Sequence, residues 1–122
     1  MRFTRDPASA PNLIRSYDPG ELRINDSVYR SSVIVGASAI REEPTLATAA
    51  ELAAEHAARI LEFEPEVVLL GTGRRQAFPA AEFGARFLES GVGFEVMDTG
   101  AACRTFNVLV SEDRRVVALL LL

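Results

Sequence analysis

The densest run of chemically useful side chains is Met97-Asp98-Thr99-Gly100-Ala101-Ala102-Cys103-Arg104-Thr105-Phe106-Asn107. It gathers a carboxylate, two hydroxyls, a thiol, a guanidinium and a carboxamide. Asp98 or Thr99 is suited to cap a helix, which would put Cys103 and Arg104 in its first turns, where the helix dipole favours a thiolate. A nucleophilic cysteine also needs a base, and the single histidine, His56, belongs to a distant segment. The alternative is a small buried cysteine packed beside Ala102. Just upstream, Glu95 sits inside "GFEVMD", which otherwise reads as a buried strand. A carboxylate there must reach solvent, find a partner or take up a proton. Arg104 is the first candidate partner and Arg74 the second. The pair would be either a structural brace or an arginine fork held ready for a carboxylate or phosphate.

A second run, Gly71-Thr72-Gly73-Arg74, follows the apolar stretch Val67-Val68-Leu69-Leu70 directly. If that stretch and Phe94 to Asp98 are parallel strands, the loops after them emerge at the same edge of one sheet. The carboxyl ends of parallel strands are where open α/β folds usually bind ligands. Backbone N–H groups at Gly71 and Gly73, with the N-terminus of the helix beginning near Thr99, would then face one crevice suited to an anion. The plainer reading is that these glycines only turn the chain. The run is not a dinucleotide fingerprint, because position 76 is Gln76, nor a P-loop, because no lysine follows. Asp98-Thr99-Gly100 also matches the aspartic protease signature, but those enzymes need two such loops.

Positioning these loops requires alternating strands and helices. "ELRI" and "SVYRSSVIV" flank Asn25-Asp26, a pair that tolerates positive φ and predicts an antiparallel hairpin. A mixed connection with a short strand around Ser38 to Arg41 follows. From Thr48 to about Phe63 the spacing of Ala49, Ala53, Ala57, Ile60 and Leu61 predicts one helix, opened by a Thr48/Glu51 capping box and braced by Glu55 and Arg59. His56 falls at the edge of the apolar stripe. "VVLLG", "GFEVMD" and "RVVALLLL" read as strands, the first buried on both faces. A short helix from Pro79 to Ser90, stopped by Gly91, joins the first two. The segment Thr99 to Asp113 fits either a strand or a helix by periodicity. Two parallel strands need a crossover, which selects helix. The residues thus predict one α/β domain over 21–122, an N-terminal antiparallel hairpin followed by αβ units, after a loosely held lead-in over 1–20.

Composition narrows the function. The chain has 122 residues, 48% apolar and 25% charged, the balance of one soluble globular domain. All 13 basic residues are arginine, which removes lysine Schiff-base chemistry, and the net charge of -4 argues against generic binding to nucleic acid or anionic lipid. Lone Cys103 and lone His56 exclude an intrachain disulfide and argue against a zinc site, so no metal or cofactor is expected. The opening residues do not resemble a signal or import peptide, and no apolar run approaches membrane-spanning length, so a cytoplasmic protein without membrane insertion is expected.

"EVVLLGTG", the downstream "FP" and "GVGFEVMDTGAACRTFNVLVSEDRRVVALLL" resemble a family of small domains of unknown function. That family includes the mitochondrial respiratory complex I assembly factor 3 and an adipogenesis-associated cytosolic protein. The likeness is strongest over residues 66–121, and the hairpin "ELRINDSVYRSSVIV" extends it. It implies a three-layer α/β domain with a central mixed sheet, no established reaction, and action by binding partner proteins. The family features fall on Gly71, Thr72, Gly73, Glu95, Asp98, Thr99, Cys103, Arg104, Thr105 and Asn107. The chain departs from the pattern in lacking a mitochondrial import segment, and no tryptophan stands between Gly36 and Pro44. The expectation is therefore a bacterial, noncatalytic protein that binds another protein. The alternative is a small-molecule or anion-binding domain, or an enzyme, using the crevice between the Thr72 and Thr99 loops.

Overall fold

Two apolar runs, Val67 to Leu70 and Val116 to Leu122, show no polar alternation, and the chain buries both between layers. The computed structural model describes residues 10–122. In chain order the strands are β1 (Ile14–Asp18), β2 (Glu21–Ile24), β3 (Ser27–Tyr29), β4 (Ser32–Gly36) and β5 (Ile40–Glu43). A 3-10 turn at Ala49–Glu51 and α1 (Ala54–Leu61) precede β6 (Val67–Gly71), α2 (Ala81–Glu89), β7 (Gly93–Met97), α3 (Thr99–Ser111) and β8 (Val116–Leu120). The central sheet runs β5-β4-β8-β6-β7, and a separate antiparallel meander runs β1-β2-β3. β6 is parallel to β7 and to β8, whereas β4 is antiparallel to β5 and β8.

Side-chain alternation sorts the sheet into two cores. Val68, Leu70, Val117 and Leu119 pack with Ala57 and Ile60 of α1 and Phe83 and Phe87 of α2. On the other face Leu69, Val116, Ala118 and Leu120 pack with Phe106 and Val110 of α3 and with Ile14, Leu22 and Ile24 of the meander. The result is a three-layer α/β arrangement around a mixed sheet, with α3 as the expected crossover from β7.

Four expectations are corrected. The lead-in over 1–20 is partly outside the described residues, which begin at 10. Within them Ile14–Asp18 forms β1, paired antiparallel with β2 and bulged where the register shifts between Ile14 and Ser16. Its single buried apolar side chain, Ile14, gives little alternation, so the strand is held by its neighbours rather than by a pattern of its own. The hairpin at Asn25-Asp26 forms as expected, with Asn25 at φ 52°. "SVYRSSVIV", however, is two strands in two sheets. β3 lies at an exposed edge, while all of β4 is buried between β5 and β8, so the chain must change sheets at Arg30-Ser31.

The helix expected from Thr48 breaks at Leu52 and Ala53, both extended, and restarts at Ala54. The carboxylate of Glu51 accepts from the Ala47 and Thr48 amides, both at 2.8 Å, and closes the first turn. The second start is capped by His56, whose Nδ1 accepts from the Ala53 amide at 3.0 Å. Arg59 lies 3.8 Å from Glu55, but its main partner is the buried Glu43 of β5, gripped by Nε and Nη2 at 2.8 Å each. Finally, β7 is an edge strand rather than a buried one, and Glu95 reaches solvent, the first of the three outcomes open to it.

Candidate functional site

The loops after β6 and β7 emerge at one sheet edge, as parallel pairing requires, and they are bonded directly to each other. The Gly73 amide donates to Thr99 Oγ1 at 2.7 Å, and the Thr99 amide donates to the Gly73 carbonyl at 2.9 Å. Thr99 Oγ1 in turn donates to the Leu121 carbonyl at 2.7 Å, and its side chain is fully buried. The Thr72 amide donates to the Met97 carbonyl at 2.9 Å, while Thr72 Oγ1 donates to Arg75 O and accepts from the Ala77 amide. A Cβ on Gly71 would lie 2.9 Å from Thr99 Cα and 3.0 Å from Ala102 Cβ, so the glycine lets α3 approach β6. Gly73, at φ 94°, supplies the turn. Of the two amides expected to face an anion, that of Gly73 is thus already engaged in joining the loops, and Gly71 lies within β6 itself.

Asp98 caps α3, its Oδ1 accepting from the Ala101 amide at 2.8 Å. The cap aims the next turns of the helix at β1. Between the two elements lies a groove of about 320 Å³, walled on the helix side by Gly100, Cys103, Arg104 and Asn107. Its other wall is Ile14, Arg15, Ser16 and Tyr17. Asn107 fixes the spacing: its Oδ1 accepts from the Ile14 amide at 2.9 Å and its Nδ2 donates to the Ile14 carbonyl at 2.8 Å.

The electrostatics of the groove decide what Cys103 can do. Burial pushes its thiol from 9.0 up to about 12, with Arg104 lowering it and Asp98 raising it to a lesser extent. Desolvation therefore outweighs the helix dipole, and the expected thiolate gives way to a neutral buried thiol, the other reading of that residue. Among the described residues the Tyr17 hydroxyl is buried without a hydrogen-bond partner. Burial raises this phenol above its ordinary value, with Cys103, Asp98 and Asp18 adding to the rise and Arg74 opposing it.

The remaining expected residues disperse. Among the described residues no ion pair joins Glu95 to Arg104 or Arg74, because Glu95 projects from the exposed edge while Arg104 faces β1. Arg74 is exposed on its loop, and Thr105 is half-buried on α3 outside the groove walls. Tyr17 and Arg15 were not legible as site residues, since nothing in the sequence placed β1 against α3. Among the described residues no cluster of three His, Cys, Asp or Glu side chains gathers to hold a metal, and no helix is long and apolar enough to cross a membrane.

A different surface lies across the sheet. Phe78 is 72% exposed and Leu88 71% exposed. They border a depression of about 290 Å³ whose other walls include Pro79, Gly84, Phe94 and Val96. This apolar patch adjoins the open edge of β7.

A three-layer domain with a mixed five-stranded sheet, a docked meander and a groove under its crossover helix is thus the class to which the chain is assigned. The chain belongs to the family described as protein of unknown function (DUF498/DUF598), whose model matches residues 14–121. It is 27% identical over 122 residues to the "13 kDa major membrane protein" of Francisella tularensis subsp. holarctica, covering 99% of each chain. It is 34% identical over 116 residues to NADH dehydrogenase [ubiquinone] 1 alpha subcomplex assembly factor 3 of Danio rerio, covering 93% of this chain and 66% of that protein. A crystal structure of a Bordetella parapertussis protein superimposes with a TM-score of 0.86 at 36% identity, covering 94% of this chain and 98% of that one. The solution structure of a Bordetella pertussis Mth938-like domain gives 0.82 at 30% identity, covering 99% and 92%.

Proposed function

We propose that this chain is a noncatalytic, assembly-factor-like protein that binds another protein through the face formed by α2 and the edge of β7. The observation that carries the reading is the exposed pair Phe78 and Leu88 beside an apolar depression at a strand edge left unpaired among the described residues. Large exposed apolar side chains around a depression mark interaction surfaces, and an edge strand offers unpaired backbone groups to an extended partner segment. The Danio rerio relative, named an assembly factor, supports the same direction. A neutral Cys103 thiol and a His56 imidazole committed to a helix start support a noncatalytic role.

Glu95, exposed midway along β7, favours a partner unlike the chain itself. Antiparallel pairing of two β7 strands about Glu95 would oppose two carboxylates, whereas a partner strand with a basic residue there would be attracted. We place this action in the cytoplasm, on composition. The name of the Francisella relative is then met by attachment to a membrane complex rather than by insertion. The test is retrieval of a stoichiometric partner by the tagged chain, compared with a folded Phe78→Ser/Leu88→Ser variant. Loss of that partner in the variant is expected. Equal retrieval by both, or none by either, would overturn the proposal.

A further inference from the structure

The groove between β1 and α3 lies on the opposite face of the central sheet from α2 and owes nothing to the partner-binding surface. We infer that it binds a small organic monocarboxylate, with the carboxylate held by Arg104 and Arg15 and the apolar body laid against Ile14 and Cys103.

Three observations carry this. First, Arg15 and Arg104 both line the groove, both are exposed, and neither makes an ion pair among the described residues. Guanidinium groups left unpaired around one concavity are suited to bidentate capture of a carboxylate. Second, among the described residues the Tyr17 hydroxyl is a buried donor without an acceptor, at the same wall. A buried hydroxyl in that state is costly, and a ligand oxygen supplies the acceptor once the ring turns toward the groove. Third, Ile14, Cys103 and Gly100 supply a small apolar strip beside the polar side chains of Ser16 and Asn107. Gly100 presents bare backbone, and a Cβ there would stand 3.5 Å from Arg104 Nη1.

Charge selects among anions. Two arginines contribute positive charge, and Asp98, whose Oδ1 lies 3.3 Å from that same Cβ position, offsets one of them. A net single positive charge matches a monoanion better than a dianionic phosphate. A volume of about 320 Å³ is at the lower end for ligand sites, which suits a short acid.

The experiment is an amide chemical-shift titration of the full chain with hexanoate and, separately, inorganic phosphate, at constant ionic strength. Expected are saturable shifts centred on Ser16, Tyr17, Gly100 and Arg104 with hexanoate, and weaker binding of phosphate. Affinity for hexanoate should fall about tenfold in Arg104→Ala, and more than twofold in Tyr17→Phe. Ser16→Glu keeps every proposed contact and adds a negative charge to the groove wall, so it should weaken hexanoate similarly even if the arginine variant does not fold. The inference is overturned by an absence of saturable shifts, by shifts centred elsewhere, by equal affinity in the folded variants, or by phosphate binding as tightly as hexanoate.

Discussion

Asn107 holds Ile14 by both of its backbone groups, accepting from the amide at 2.9 Å and donating to the carbonyl at 2.8 Å. One side-chain carboxamide on α3 thereby acts as a one-residue neighbour for the edge of β1. It docks the whole meander on the helix and sets the width of the groove below Arg104. Replacing it with alanine leaves two part-buried backbone groups unpaired, so Asn107→Ala should cost about 1–3 kcal/mol. Urea denaturation gives the loss, and hydrogen exchange should locate it, with Ile14 losing protection before β6 and β8 do.

The joined loops make a contrast between two glycines. Gly71→Ala drives a Cβ to 2.9 Å from Thr99 Cα, a backbone atom that cannot swing aside, so α3 must move. A cost of about 1–3 kcal/mol is expected, as for overpacking. Gly73→Ala meets nothing within 4 Å and pays only for its positive φ, about 1–2 kcal/mol. Thermal unfolding of both variants, with amide shifts of Thr99 to Ala102 displaced only in the first, checks the distinction.

Cys103 predicts a pH dependence on the alkaline side. Its folded value, about 12, lies above the 9.0 of an unhindered thiol, so the folded state keeps a proton that the unfolded chain releases. Stability from this group is complete below about pH 9 and falls as pH rises toward 12, by at most about 1.4 kcal/mol per unit. Cys103→Ala should lose less stability than wild type between pH 8 and pH 10 in parallel denaturation curves. At about pH 8 the native thiol should react with iodoacetamide far more slowly than the thiol of the urea-unfolded chain.

Glu95 guards the edge of β7. Because it is exposed and makes no ion pair among the described residues, Glu95→Gln should change stability by less than about 0.5 kcal/mol. Glu95→Val removes the charge from an unpaired strand beside Phe94 and Val96 and should promote self-association. Sedimentation velocity would register the shift, and a Glu95→Val protein that stays as monodisperse as wild type would contradict this role.

Much of the frame was legible because its causes are local. Asn25 at positive φ, Gly91 ending α2 and Asp98 capping α3 are decisions made within a few residues. The crossover argument chose helix for Thr99 to Ser111 correctly because parallel strands leave no other route. The break at Leu52-Ala53 was hidden because the apolar spacing continues through it, and β7 was misread as buried because strand order, not strand sequence, makes it an edge.

By itself, then, the sequence determined that Val67 to Gly71 is a buried strand, where the Asn25-Asp26 hairpin turns and α2 stops, and that the β6 and β7 loops share one end of the sheet. Short-range sterics and the length of an apolar run are enough for that. Only the tertiary structure decided that Thr99 would bond those loops together, that Cys103 would be neutral, and that Tyr17 and Arg15 would face Arg104. The first depends on the parallel pairing that brings the β6 and β7 loops together across 26 residues, and the other two on β1 returning against α3 from more than eighty residues away in the chain and on the water it excludes. No local pattern encodes a contact of that separation, and the burial that shifts a pKa exists only after it has formed.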